Sequence, residues 1–174
     1  MAMGDTTSTE RDSILNQSMP YSQQAERAVL GAILLDNSAY NQAAALLLPE
    51  DFFEGSNRII YLRMTEMAER STAIDMITLC DELIRHKELE AIGGAAYVSS
   101  LTDGLPRLNI EHYVKIVKDR SMLRYLIAAA NTIVTKCWDG AEDAEDILDV
   151  AENAVLSLAS DRVRTGFADF KNAR

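Results

Sequence analysis

Few residues in this chain have the chemistry of a reaction centre. The soft or borderline metal ligands are Cys80, Cys137, His86 and His112, and a zinc site needs several such groups at close spacing. Cys80 and His86 share one helical pattern, but a separation of six residues is a rotation of roughly 600°. They therefore face away from each other. Carboxylates come in adjacent pairs: Glu50-Asp51, Asp81-Glu82, Glu142-Asp143 and Glu145-Asp146. Neighbours on a helix point in different directions, and such pairs more often solvate a face or favour a helix N-terminus than share a proton. Neither cysteine lies in a nucleophile elbow. Gly93-Gly94 is not followed by Lys and Ser or Thr, and no segment reads G-x-x-x-x-G-K-S/T. The chain thus carries no phosphate loop for nucleotide hydrolysis. Lys115, Lys118, Arg120 and Arg124 gather on one stretch, diluted by Glu111 and Asp119, and read as a solvated helix face rather than a DNA patch. The expectation is a chain with no catalytic residue, no metal site and no cofactor of its own.

The bulk numbers agree with a binding or assembly module. Of 174 residues, 48% are hydrophobic and 25% charged, the balance of one globular domain. The net charge is −10. Gripping a phosphate backbone needs clustered Lys and Arg, so strong nucleic-acid binding is not expected. An acidic surface suits solubility or a basic protein partner. No apolar run approaches the length of about 20 residues that spans a bilayer, and the first residues lack the apolar core of a secretory leader. Cys80 and Cys137 read as reduced core thiols of a cytosolic protein. A cytoplasmic location is expected.

The periodicity predicts an all-α fold, with no sustained alternation to suggest strands. Residues 1–19 are polar and read as a disordered N-terminal tail. A helical globular head spans 20–108. Ser22 caps a helix through Leu35, with Ala25, Val29, Ala32 and Ile33 at helical spacing. A short helix covers 38–47, a turn of Pro49 to Phe53 follows, and a further helix runs from Asn57 to Glu69. Asp75 caps a helix to His86 whose buried stripe is expected to be Ile77, Cys80, Leu83 and Ile84. Gly93 and Gly94 redirect the chain, because glycine tolerates positive φ. A short helix over 95–101 ends near Gly104 and Pro106.

Residues 109–161 hold a long helix and a C-terminal antiparallel helical hairpin. Asn109 caps the long helix, which runs to Trp138. Its stripe is Ile116, Leu123, Ile127, Ala130, Val134 and Cys137, widened by Tyr113, Val117, Leu126 and Ile133. Asp139 and Gly140 end it. Asp143 or Asp146 opens a last helix to Ser160, with Ile147, Val150, Ala151, Ala154, Val155 and Leu158 on one side. A hairpin standing alone cannot bury both apolar sides. Its leftover face must meet another copy or another protein, unless the hairpin folds back on its own domain. Ile147, Val150, Ala154 and Leu158, with Ile127 and Val134 opposite, are the expected contacts.

The stretch from Pro20 to Asp36, PYSQQAERAVLGAILLD, resembles the opening helix of DnaB-type replicative helicases. Asp51-Phe-Phe53, Ile74 to Leu79 (IDMITL), Leu89 to Tyr97 (LEAIGGAAY), Asn109 to Val117 (NIEHYVKIV) and Asp146 to Glu152 (DILDVAE) follow in the family's order. The resemblance covers Pro20 to about Arg162. It implies an N-terminal helicase domain that builds a trimer-of-dimers collar on a hexamer through head and hairpin contacts. It implies docking of primase, and in some species of a helicase loader. The parent would be an ATP-dependent DNA helicase using ATP and Mg, with its motor beyond residues 162–174, which resemble the start of a linker. By the same resemblance Tyr97 lies in a region of primase contact; as a sequence feature it equally fits a core aromatic beside the Gly-Gly turn. The resemblance also implies a primase contact at Gln24, which stands where the family often has Glu. The alternative is a helicase-binding adaptor domain of a primase or another replisome protein. A small helical enzyme is the remaining rival.

Overall fold

The computed structural model describes residues 19–104 and 109–156. The described residues are helical, with no strand among them. α1 spans Gln23–Leu35, α2 Ser38–Ala44, α3 Gly55–Glu69, α4 Met76–Arg85, α5 Gly94–Ser100 and α6 Ile110–Asp139, with a 3-10 turn at Pro49–Asp51. A last helix, α7, covers 144–156. Residues 1–18 of the expected tail 1–19, the linker 162–174, Pro106 and Leu158 lie outside the described residues.

Local chemistry sets the helix ends. Ser22 accepts from the Ala25 amide, and Asp75 accepts from the amides of Ile77 and Thr78. Asn109 accepts from the Glu111 amide, and Gly140 takes φ +61° to stop α6. These side-chain and glycine caps satisfy groups a helix end leaves unpaired.

The core lies in the head. Val29, Leu30 and Ile33 of α1 pack with Phe52, with Ile60, Tyr61 and Met64 of α3, and with Leu79 and Leu83 of α4. Val98 and the root of α6 complete it through Ile110, Val114 and Val117. α1 lies along that root of α6. The buried positions of α6 are Ile110, Val114, Val117 and Ser121, spaced as one helical stripe. The stripe stops there. From residue 122 to residue 156 no described residue is buried, so the hairpin projects from the head and does not fold back on it.

Three expectations need correction. The buried stripe of α4 is Leu79, Glu82 and Leu83. Ile77 and Ile84 face outward at 78% and 58% exposure, and Cys80 is half-buried. The apolar pattern of α4 is wider than the side the head covers. The head-facing stripe of α6 begins at Ile110 and Val114, not at Ile116, which packs only at the rim. Cys137 is exposed on the hairpin and is not a core thiol.

Candidate functional site

One candidate surface lies around α5. Gly93 and Gly94 enter it with φ of +104° and +74°. A Cβ on Gly93 would lie 3.2 Å from the Cβ of Tyr97, so a side chain there meets both backbone strain and a steric limit. Tyr97 is half-buried. Its hydroxyl donates to Oδ1 of Asn57 at 2.7 Å. Asn57 is fully buried and donates through Nδ2 to Glu26 at 2.9 Å. Glu26, on α1, is also buried and accepts from the amides of Phe53 at 2.8 Å and Glu54 at 3.3 Å. Its carboxylate thus sits where the backbone enters α3, the positive end of that helix. Arg27 lies over the Tyr97 ring, 5.2 Å from the centroid, and donates to the carbonyl of Ser100 at 2.8 Å. Gln24 is exposed one turn before Arg27 on α1. Both expected docking residues therefore flank Arg27.

The second candidate surface is the hairpin. Ile147, Val150, Ala151 and Ala154 of α7 are half-buried, as are Ala129, Ile133 and Lys136 of α6. Both sets follow helical spacing, the pattern of two helices laid side by side. Lys136 pairs with Glu142 across the turn. Ile127 and Val134 point away, at 37% and 52% exposure. Leu123, Tyr125, Leu126, Trp138, Leu148, Val155 and Leu156 are exposed with them.

Residues 18–119 match the family described as the DnaB-like helicase N terminal domain. The chain belongs to that family. It is 35% identical over 161 residues to the replicative DNA helicase DnaC of Bacillus subtilis, covering 91% of this chain and 36% of that protein. It is 34% identical over 154 residues to the replicative DNA helicase DnaB of Geobacillus stearothermophilus, covering 88% of this chain and 34% of that one. The chain thus spans about a third of the length of these relatives. The crystal structure of the N-terminal domain of DnaB helicase from Mycobacterium tuberculosis superimposes with a TM-score of 0.75 at 31% identity, covering 80% of this chain and 99% of that one.

Ionic groups in this DnaB-like domain mostly hold the head together. Asp51 is buried and takes Ser121 at 2.6 Å and Lys118 at 3.0 Å. Arg124 donates to the carbonyls of Pro20 and Asp51 and lies over the Phe53 ring. Burial pulls the Arg124 guanidinium below its ordinary value. Half of the basic cluster on α6 is therefore engaged inside the domain, not solvated as expected from the sequence. Glu66, Glu82 and His86 bring their donor atoms within 4.8 Å of one another. Arg70 and Arg85 engage Glu82, while Arg63 engages Glu66. A cation would have to displace guanidinium partners, so the group is an ion network. The Arg70 hydrogen bond holds the Glu82 carboxyl below the ordinary range. Burial pushes the Cys80 thiol up, away from a reactive thiolate.

Sequence reasoning missed Arg27, Asn57 and Glu26. Glu26 carried a signal: it lies on the stripe of Leu30 and Ile33, a charge on a buried face. Asn57 carried none, because its partners come from α1 and α5.

Proposed function

We propose that this domain is the assembly and docking collar of a hexameric replicative helicase. In this reading residues 20–108 form the head and 109–161 the helix and hairpin that meet a second copy. The hairpin's uncovered apolar surface supports it: no described residue from 122 to 156 is buried, and Leu126, Val134, Val155 and Leu156 are exposed. Exposed apolar area of this extent on a projecting element marks an interaction surface. Ile127 and Val134 would meet the sister subunit, while Ile147, Val150 and Ala154 hold α7 to α6. Leu158 continues the α7 stripe in sequence. The collar would take a trimer-of-dimers arrangement and recruit primase, and in some species a loader, around Gln24 and Tyr97. The parent protein would unwind duplex DNA in the cytoplasm with ATP and Mg bound by its motor, and this domain would contribute no chemistry to that step. The family placement favours this over the adaptor domain of a primase.

The test combines Val134→Asp with Val155→Asp. A charge at a buried contact is costly, so light scattering should show loss of association while circular dichroism keeps its helical signal. Unchanged association of the folded variant rejects the hairpin contact. A pull-down separates the two partner readings: this domain should capture primase, whereas an adaptor would capture the helicase.

A further inference from the structure

We propose that Asn57 is a positioning residue for partner docking: through the Tyr97 hydroxyl it sets where α5 presents its outer face. The inference rests on the reading above that primase docks around Tyr97. It goes beyond it by assigning a role to residues that no partner can reach.

The polarity of the chain of hydrogen bonds is fixed from the inside. An ionised Glu26 only accepts, so the amide of Asn57 must turn Nδ2 toward it. That leaves Oδ1 facing α5, where it can only accept. Tyr97 must then donate, and it does so at 2.7 Å. The half-buried ring is thereby locked to a buried anion that also anchors the entry to α3. Beside this bond α5 is held by Val98 and by buried Ile92 and Leu101 at its two ends. It spans Gly94–Ser100, its buried residue is Val98, and it opens on Gly93 and Gly94, both at positive φ. A helix this short does not stand by itself. Arg27 fixes its end through the Ser100 carbonyl, and the Tyr97–Asn57 bond fixes its middle. Ala95, Ala96 and Ser99 form the exposed side so presented.

Asn57→Ala and Tyr97→Phe each remove this bond and keep the ring. Each variant, and the double variant, is titrated against the primase of the same organism by calorimetry, with hydrogen exchange followed across 94–104. Each single change should weaken binding about fivefold, the worth of one ordinary hydrogen bond, and speed exchange in α5. The double variant should be no weaker than either single, because both remove the same contact. Losses that multiply to about 25-fold overturn the proposal. So does a Tyr97→Phe variant that binds weakly with unchanged exchange, which means the hydroxyl touches primase directly. Should Asn57→Ala unfold, the exchange and affinity of Tyr97→Phe decide alone by the same criterion. Tyr97→Ala separates the failures. If it abolishes binding while Asn57→Ala does nothing, positioning is wrong and docking stands. If Tyr97→Ala binds as well as the unaltered chain, the docking reading fails and this proposal with it.

Discussion

Asp51 is 1% exposed, and its carboxylate accepts from Ser121, Lys118 and the Leu48 amide. It ties the 3-10 turn to α6 at the point where the hairpin leaves the head. Removing one partner of a buried pair leaves the other uncompensated, so Asp51→Ala should cost about 3 kcal/mol. Urea unfolding should show this as a lowered midpoint at unchanged slope. A loss under about 1 kcal/mol would mean water replaces the carboxylate at little cost. Acid should destabilise the head through Asp75 and Glu82. The Thr78 amide, foremost, holds Asp75 below its usual value of 3.8, and the Arg70 hydrogen bond, foremost, holds Glu82 below 4.5. A carboxyl depressed in the folded state stabilises above its unfolded pKa, and that contribution is lost as pH falls through the folded value. Melting temperature should therefore drop as pH falls below about 4.5. Asp75→Asn keeps a cap that does not titrate, so it should drop less steeply. Parallel profiles would show that Asp75 takes no part.

α4 shows what element-scale packing decides. Its apolar residues span an arc of about 160°, nearly half the circumference at about 100° per residue, but the head covers only the side bearing Leu79 and Leu83. Leu83→Ala should cost about 2–5 kcal/mol, the range for truncating a buried leucine. Ile84→Ser, one position on at 58% exposure, should stay within about 0.5 kcal/mol. Chemical denaturation of the two variants side by side checks this; comparable losses would mean that the sequence-predicted stripe is the packed one. The amphipathic periodicity identified the helix: Asp75 caps it as expected, and it ends at Arg85, one residue short of the expected His86. It could not rank two overlapping apolar sides. On α6 the ambiguity was wider: one helix packs on the head near Val114 and on α7 near Ile133.

At the scale of the molecule, a compact head carries a projecting hairpin, and the whole chain has a net charge of −10. Copies brought together through an apolar hairpin face must approach against like charge. Screening weakens repulsion between exposed charges, with a Debye length of about 30 Å at 0.01 M salt and about 8 Å at 0.15 M. Self-association should therefore strengthen with added salt over that range. Sedimentation equilibrium at the two salt concentrations tests it. Weaker association in salt would mean that ionic contacts, not apolar area, hold the copies together.

The sequence by itself determined the helices, their caps at Ser22, Asp75 and Asn109, the two-glycine turn and the absence of a phosphate loop. Each depends on a residue and its near neighbours along the chain, which any reader of the sequence can see. Only the tertiary structure decided which faces are covered. It turned Ile77 and Ile84 outward, drew Lys118 and Arg124 into the head, and ended the buried stripe of α6 at Ser121. It also joined Glu26, Asn57 and Tyr97 across three helices. Such pairings span 31 and 40 residues of chain. No local period encodes a contact at that distance; the packing of α1, α3 and α5 creates it.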